Sequence, residues 1–204
     1  MNQMVLENSK ISIKEAQKIV ALNYDIKGSV EKLDGEIDFN FKIQSTKGKN
    51  YLLKISRPNF ESDYIDFQIK LLDHLNKNCE IELAENKLTI DGNKSCIVKD
   101  KLGRDRSVRL LSWTEGRLWS SVNPINQSLR KGLGSNTAIL NRSLINFKHS
   151  FSKREIEWDI SNSLWVEDHL DKFDANQKII LTKFILDFKR NLTLYNDLPK
   201  SIIH

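Results

Sequence analysis

Two alternating runs between residues 33 and 56 set the pattern of this chain. Phe39, Phe41 and Ile43 alternate with Asn40, Lys42 and Gln44, and Tyr51, Leu53 and Ile55 alternate with Leu52 and Lys54. A period of two predicts half-buried strands. The polar stretch 46–50 between them carries Gly48, as a tight reversal requires. A shorter strand, residues 29–33, precedes them after Lys27-Gly28, and Gly35 marks a bend between the first two strands. Lys54 is a charge inside an otherwise apolar strand. Its ammonium must reach water, a carboxylate or a phosphate, because leaving it dry and unpaired costs on the order of several kcal/mol. Lys54 and the Gly35 bend look like half of a nucleotide site; the plainer alternative is a lysine reaching water from an edge strand.

Helical spacing frames these strands. Ser12-Ile13-Lys14-Glu15 is a capping-box pattern, and Ile13, Ala16, Ile19 and Val20 give the helix it opens an apolar face that fades near Asn23. After the break at Pro58, residues 62–76 place Tyr64, Phe67, Leu71, Leu72 and Leu75 on one stripe. Gln68 falls on that stripe and needs a hydrogen-bond partner, for which Lys54 is the natural candidate. Asp91-Gly92 predicts a hairpin between residues 87–90 and 95–100. Arg104, Asp105 and Arg106 read as a solvated turn before a last strand, residues 107–113. The first part of the chain is thus expected to be a sheet of about five antiparallel strands with a helix inserted after the third.

Beyond residue 113 the pattern changes. Residues 114–126 read as irregular, with Pro124 as a breaker. Leu129, Leu133, Leu140, Leu144 and Phe147 line one helix, or two broken near Gly132-Leu133-Gly134. A further helix is expected around residues 160–170. Residues 175–195 form the strongest helical pattern, with Ile180, Phe184, Phe188, Leu192 and Tyr195 on one face. The expected class is α+β, in three sections: a sheet lobe at 1–113, a linker at 114–126 and a helical lobe at 127–204.

Composition narrows the function. At 204 residues, with 39% hydrophobic and 29% charged residues, the chain suits a globular protein with a sizeable core. The net charge of +5 is modest, and basic residues mix with acidic ones, so there is no nucleic-acid stripe. No leader or membrane-spanning run is visible. Cys79 and Cys96 lack ligand spacing and suit a reducing, cytoplasmic setting. His74, His149 and His169, placed on predicted helices, have no metal-ligand neighbours at the right spacing and read as structural or surface residues. Of the four tryptophans, Trp158 and Trp165 read as packing residues and Trp119 as a candidate cation–π wall for an amine.

LDGEIDFNF, YLLKIS, VRLLSWTEGRLW, LGSNTAILNRSLINFKH, EWDI and LPKSIIH occur in the order and spacing of the aminoglycoside phosphotransferase and choline kinase-like family. The chain most resembles its hydroxylysine-kinase-like branch and the leading domain of proteins fused to a class III aminotransferase. The resemblance implies a protein kinase-like fold: a nucleotide-binding sheet lobe, a hinge and a partial helical lobe. It implies that Gly35, Asp38, Phe39 and Asn40 belong to the loop covering ATP, and that Lys54 contacts its phosphates. Leu111, Ser112, Trp113 and Thr114 would form the hinge that meets the adenine edge. Gln68 stands where relatives carry the lysine-pairing glutamate, with Glu61, Asp63 or Asp66 as substitutes. Asp159 would make a structural hydrogen bond to the catalytic-loop region.

The resemblance also implies that the chain stops as the catalytic loop begins, at His204, before the aspartate, asparagine and second aspartate that carry catalysis and Mg²⁺. Two functional readings stand. One is the nucleotide-binding part of a kinase that phosphorylates a small amine-bearing molecule with ATP, inactive alone and using Mg²⁺ only at full length. The other is a non-catalytic, pseudokinase-like docking or regulatory module. Either way, Lys54 is expected to face a cleft between the β-rich and helical halves, and exposed apolar faces around residues 180–195 are expected to drive self-association.

Overall fold

The computed structural model describes residues 10–154, 159–198 and 202. It divides into two compact units, one reaching Phe151 and one spanning Ser152–Ile202. The first unit opens with α1, Ile13–Tyr24. The predicted capping box is formed: Glu15 N donates to Ser12 Oγ (3.2 Å) and Ser12 N donates to Glu15 Oε2 (2.8 Å). These bonds to Ser12 hold the Glu15 carboxyl below its usual range.

Strands β1 (Gly28–Leu33), β2 (Phe39–Ser45), β3 (Asn50–Ile55), β4 (Asn86–Lys87), β5 (Cys96–Lys99) and β6 (Asp105–Ser112) form one antiparallel sheet. The order is β1-β2-β3-β6, with β4 and β5 both on the far edge of β6. The expected β4–β5 hairpin is therefore corrected. Gly92, at φ 80°, turns the chain, but the two arms pair with successive stretches of β6 rather than with each other. The sheet has six strands where about five were expected.

Alternation divides the sheet into two faces. Phe41, Ile43, Leu53, Ile55, Val108 and Leu110 pack against Ala16, Val20 and Tyr24 of α1. Each buried Phe, Ile, Leu or Val among them contributes about 1.5–3 kcal/mol of transfer free energy. Tyr24 OH donates to Val108 O (3.4 Å), and desolvation raises the phenol well above its usual pKa. The opposite face carries Asn40, Lys54 and Arg109, aligned across β2, β3 and β6 as direct register partners.

The expected solvated turn at Arg104, Asp105 and Arg106 is overturned at Arg106. Its side chain is 1% exposed and lies 2.7 Å from Asp100 Oδ2. It also donates to Ser56 O (3.0 Å) and sits over the Phe39 ring. Arg106 shares the strand phase of Val108 and Leu110, so the pleat turns it inward. Burial alone would raise the Asp100 pKa; the Arg106 guanidinium and the amides of Arg104 and Leu102 outweigh it and hold the carboxyl far below the usual range.

Helix α2, Ser62–Asn78, buries Ile65, Phe67 and Leu75. Phe67 packs near the rings of Phe147 and Phe151, at 5.9 and 6.4 Å between centroids. Helix α3, Gln127–Leu144, is continuous through Gly132 and Gly134, which settles the choice between one helix and two. Asn126 caps it, accepting from Leu129 N (2.9 Å).

In the second unit, a 3₁₀ segment, Ile160–Lys172, precedes α4, Ala175–Asn196. Asp174 and Gln177 form a capping box at the start of α4. Ile185 is its buried residue, with Leu181, Phe188, Leu192 and Tyr195 partly buried around it. Ile180 and Phe184, expected on the same face, are 56% and 66% exposed. Steps of four residues overshoot a 3.6-residue turn, so the 180-184-188 row drifts away from the packed stripe. Among the described residues, no helix is long and apolar enough to cross a membrane.

Candidate functional site

The site grows from the row Asn40–Lys54–Arg109. Antiparallel pairing places the three residues side by side on adjacent strands, and one strand phase points them to the same face. Lys54 Nζ lies 3.2 Å from Asp38 Oδ2 and donates to Asn40 Oδ1 at 3.1 Å. Its side chain is 24% exposed, so the ammonium is sheltered but reachable. Arg109 Nη2 lies 3.6 Å from the same Asp38 oxygen and is almost wholly buried. Burial pulls its pKa down, and the Asp38 carboxylate opposes that pull.

Asp38 arrives on the 34–38 segment between β1 and β2, which folds tightly over itself. A Cβ on Gly35 would fall 2.3 Å from Asn40 Nδ2 and 2.4 Å from Asp38 O, so only glycine fits there. Asn40 Nδ2 donates to Asp34 O (3.3 Å), and Arg57 donates to Glu36 O. Phe39, also expected in this loop, begins β2 opposite Ile55.

Gln68 does not meet Lys54. Its Oε1 accepts from Arg109, which corrects the expected pairing. The proposed substitutes Glu61, Asp63 and Asp66 do not pair with Lys54 either; Asp38 takes that role from the loop. Asp66 instead joins Lys70 (2.8 Å) and His149 (2.9 Å), whose hydrogen bonds lower its pKa. Arg109 is the residue missed by sequence reading. Its signal was the one that marked Lys54: a cation between Val108 and Leu110, out of phase with the apolar positions.

One step along the same face lies a second row, Lys42–Leu52–Leu111, again in direct register. Leu111 and Ser112 end β6; the Ser112 amide donates to Glu85 O (2.9 Å), and its side-chain Oγ accepts from Glu85 N (2.8 Å). Trp113 and Thr114 lie beyond the last paired residue. The Lys42 ammonium sits 4.6 Å from the Trp113 ring centroid. An apolar strip with an aromatic edge therefore adjoins the cationic row.

Other expected residues lie apart from this cluster. Trp119 opens a one-turn 3₁₀ helix, Trp119–Ser121, and is 40% exposed. His149 lies in the segment after α3, not on a helix as expected. Its Nδ1 accepts from Phe151 N (3.1 Å), which leaves Nε2 as the donor to Asp66. His74 bonds Ser143 O (2.8 Å), and His169 meets the Trp165 ring edge-on. Asp159 accepts from Ser161 N (2.9 Å) and caps the 3₁₀ segment. Trp158 and His204 lie outside the described residues. Among the described residues, no group of three or more metal-ligating side chains gathers.

No protein-family model matches the chain, and no curated protein matches its sequence. Solved structures do match its shape. One is the amicoumacin kinase hAmiN, in complex with AMP-PNP, Ca²⁺ and Ami, with TM-score 0.70 and 19% identity over 98% of this chain. Another is a microcompartment-associated aminopropanol kinase, with TM-score 0.69 and 16% identity over 90% of this chain. The chain spans 58% of the length of each. Its sheet, with α2 inserted after β3 and helices following, is a kinase-like fold of the kind these small-molecule kinases share.

Proposed function

We propose that this chain is the nucleotide-binding part of an ATP-dependent phosphotransferase acting on a small hydroxyl-bearing amine. The observation that carries this reading is the pair of adjacent rows on one sheet face. Lys54 and Arg109 supply fixed positive charge for phosphate oxygens, and Leu52, Leu111 and Trp113 supply a flat apolar strip for a purine. The Gly35 segment would cover the phosphates, and the backbone of Trp113 and Thr114 would meet the adenine edge. In this reading residues 1–113 form the nucleotide lobe, 114–126 the hinge, and 127–204 part of the helical lobe.

Phosphoryl transfer needs little covalent chemistry from the protein; it needs positioning and charge neutralisation. Lys54 and Arg109 orient the β- and γ-phosphates electrostatically. Mg²⁺ adds its charge to the same phosphates in this class of reaction. The cluster itself offers one carboxylate, Asp38, already held by Lys54 and Arg109, so the metal's ligands and the base for the acceptor hydroxyl would come from outside this cluster. The acceptor class comes from the fold neighbours, one of which is an aminopropanol kinase.

Calorimetric titration of the 204-residue chain with metal-free ATP tests the reading. Saturable binding is expected, with a loss of about tenfold or more in Lys54→Ala, since a charged hydrogen-bond partner contributes roughly 1.5–3 kcal/mol. Equal affinity in the variant would remove Lys54 from the site. The docking-module alternative draws on the neutral Gln68, which leaves Lys54 with no acid from α2. A chain that neither binds ATP nor changes stability with it would favour that alternative.

A further inference from the structure

We infer that Asp38 stands in for a nucleotide phosphate oxygen: Lys54 and Arg109 form a two-cation anion site that the loop carboxylate fills, and the nucleotide displaces it. This inference rests on the nucleotide reading above and adds a regulatory element to it.

The first support is geometric. A single oxygen, Asp38 Oδ2, lies 3.2 Å from Lys54 Nζ and 3.6 Å from Arg109 Nη2. The two cations are register partners on neighbouring strands, so the sheet sets their separation. A small anionic oxygen held between two fixed cations is also how a phosphate oxygen would sit there. The second support is charge. Lys54 and Arg109 bring two positive charges, Asp38 one negative, and Asn40 and Gln68 none. The cluster is short of one anion even with Asp38 in place. A phosphate oxygen entering beside Asp38 would have to share one ammonium with a like charge in a partly dry setting, where repulsion is strong. Exchange avoids that repulsion.

The third support is mechanical. Asp38 precedes the first paired residue of β2, Phe39, which sits opposite Ile55. Rotation of its side chain leaves the β1–β2 and β2–β3 ladders intact, together with the Asn40–Asp34 and Arg57–Glu36 bonds that hold the 34–38 segment. Arg109 keeps Gln68 as a hydrogen-bond acceptor throughout the exchange. The Asp38 carboxylate then covers the cations until the nucleotide arrives and yields them to it, while the rest of the Gly35 segment stays in place.

Asp38→Asn keeps shape and removes charge, so it separates a competing carboxylate from a positioning one. ATP and inorganic tripolyphosphate are each titrated into the wild-type chain and Asp38→Asn. Displacement predicts that both ligands bind the variant about tenfold more tightly, because a like charge has been taken from the site. Unchanged or weaker binding in the variant would overturn the inference and make Asp38 a positioning residue. If tripolyphosphate tightens in the variant while ATP binds neither protein, the anion site stands and the nucleotide reading alone fails. If ATP binds in a Lys54-dependent way but Asp38→Asn weakens it, only the displacement fails.

Discussion

Two arginines three residues apart on β6 meet opposite fates. Arg106, on the face packed by α1, grips Asp100 Oδ2 through Nε (3.0 Å) and Nη2 (2.7 Å) and donates to Ser56 O. The other oxygen of Asp100 accepts from the amides of Leu102 and Arg104, and the Arg104 side chain closes the cluster at 2.9 Å. Arg109, on the other face, stands 3.6 Å from a carboxylate that it shares with Lys54. Each cluster sets two cations against one aspartate, and each arginine is withdrawn from water. What differs is how fully the carboxylate is held. Asp100 is bound from both sides by short bonds and a tight turn, so it serves the fold. Asp38 rests on two longer contacts beside a lysine that is a quarter exposed, so its place can be taken by another anion.

The comparison breaks hardest at Arg106. Arg106→Met leaves the Asp100 carboxylate buried without its main partner, and a loss of about 3–5 kcal/mol is expected in urea unfolding. The same substitution at Arg109 should cost less stability, because Asp38 retains Lys54. Equal losses would dissolve the distinction between a structural and a functional arginine.

Asp100 sharpens the comparison through pH. Its folded pKa lies below the ordinary aspartate value, so its stabilisation is complete above that value and is lost as pH falls through the folded pKa. Stability of the wild-type chain should therefore decline below about pH 4, where an unfolded aspartate begins to take up protons. Asp100→Asn should be less stable at neutral pH and show a flatter acid limb, read from urea midpoints across the pH series. Parallel curves would mean that Asp100 contributes no linkage.

A smaller effect is expected at Gln68. A carboxylate there would meet Arg109, not Lys54, and reduce the net charge of the cluster from +1 to zero. Gln68→Glu should weaken tripolyphosphate binding by a few-fold, roughly 1 kcal/mol or less, and leave folding stability nearly unchanged. Stronger binding would contradict the electrostatic account of the cluster. An effect of similar size, but on folding alone, should come from Asp174→Ala, which removes the cap of α4 in the second unit. About 1 kcal/mol of stability should be lost with anion affinity unchanged.

Much of the sheet was legible because alternation is local. Phe39–Phe41–Ile43 and Tyr51–Leu53–Ile55 declared their inward phase, and Ser12 with Glu15 declared the start of α1. Lys54 was legible as a charge out of place. Its partners were not, since Asp38 reaches it through a loop fold that rests on the close approach of Gly35 to Asn40. Gln68 was correctly placed on an inward-facing stripe, but which cation it meets depends on how α2 lies over the sheet. Arg106 was misread because charged residues beside Gly103 resemble a solvated turn, and only pairing with Asp100 makes burial tolerable. The α4 stripe was misjudged by counting in fours, which follows no fixed line on a 3.6-residue helix.

The most direct test is a crystal structure of the chain with a non-hydrolysable ATP analogue. The account predicts phosphate oxygens within hydrogen-bonding distance of Lys54 Nζ, the purine over Leu52 and Leu111, and the Asp38 carboxylate turned away from the lysine. A nucleotide bound elsewhere, with Asp38 still bridging Lys54 and Arg109, would contradict it.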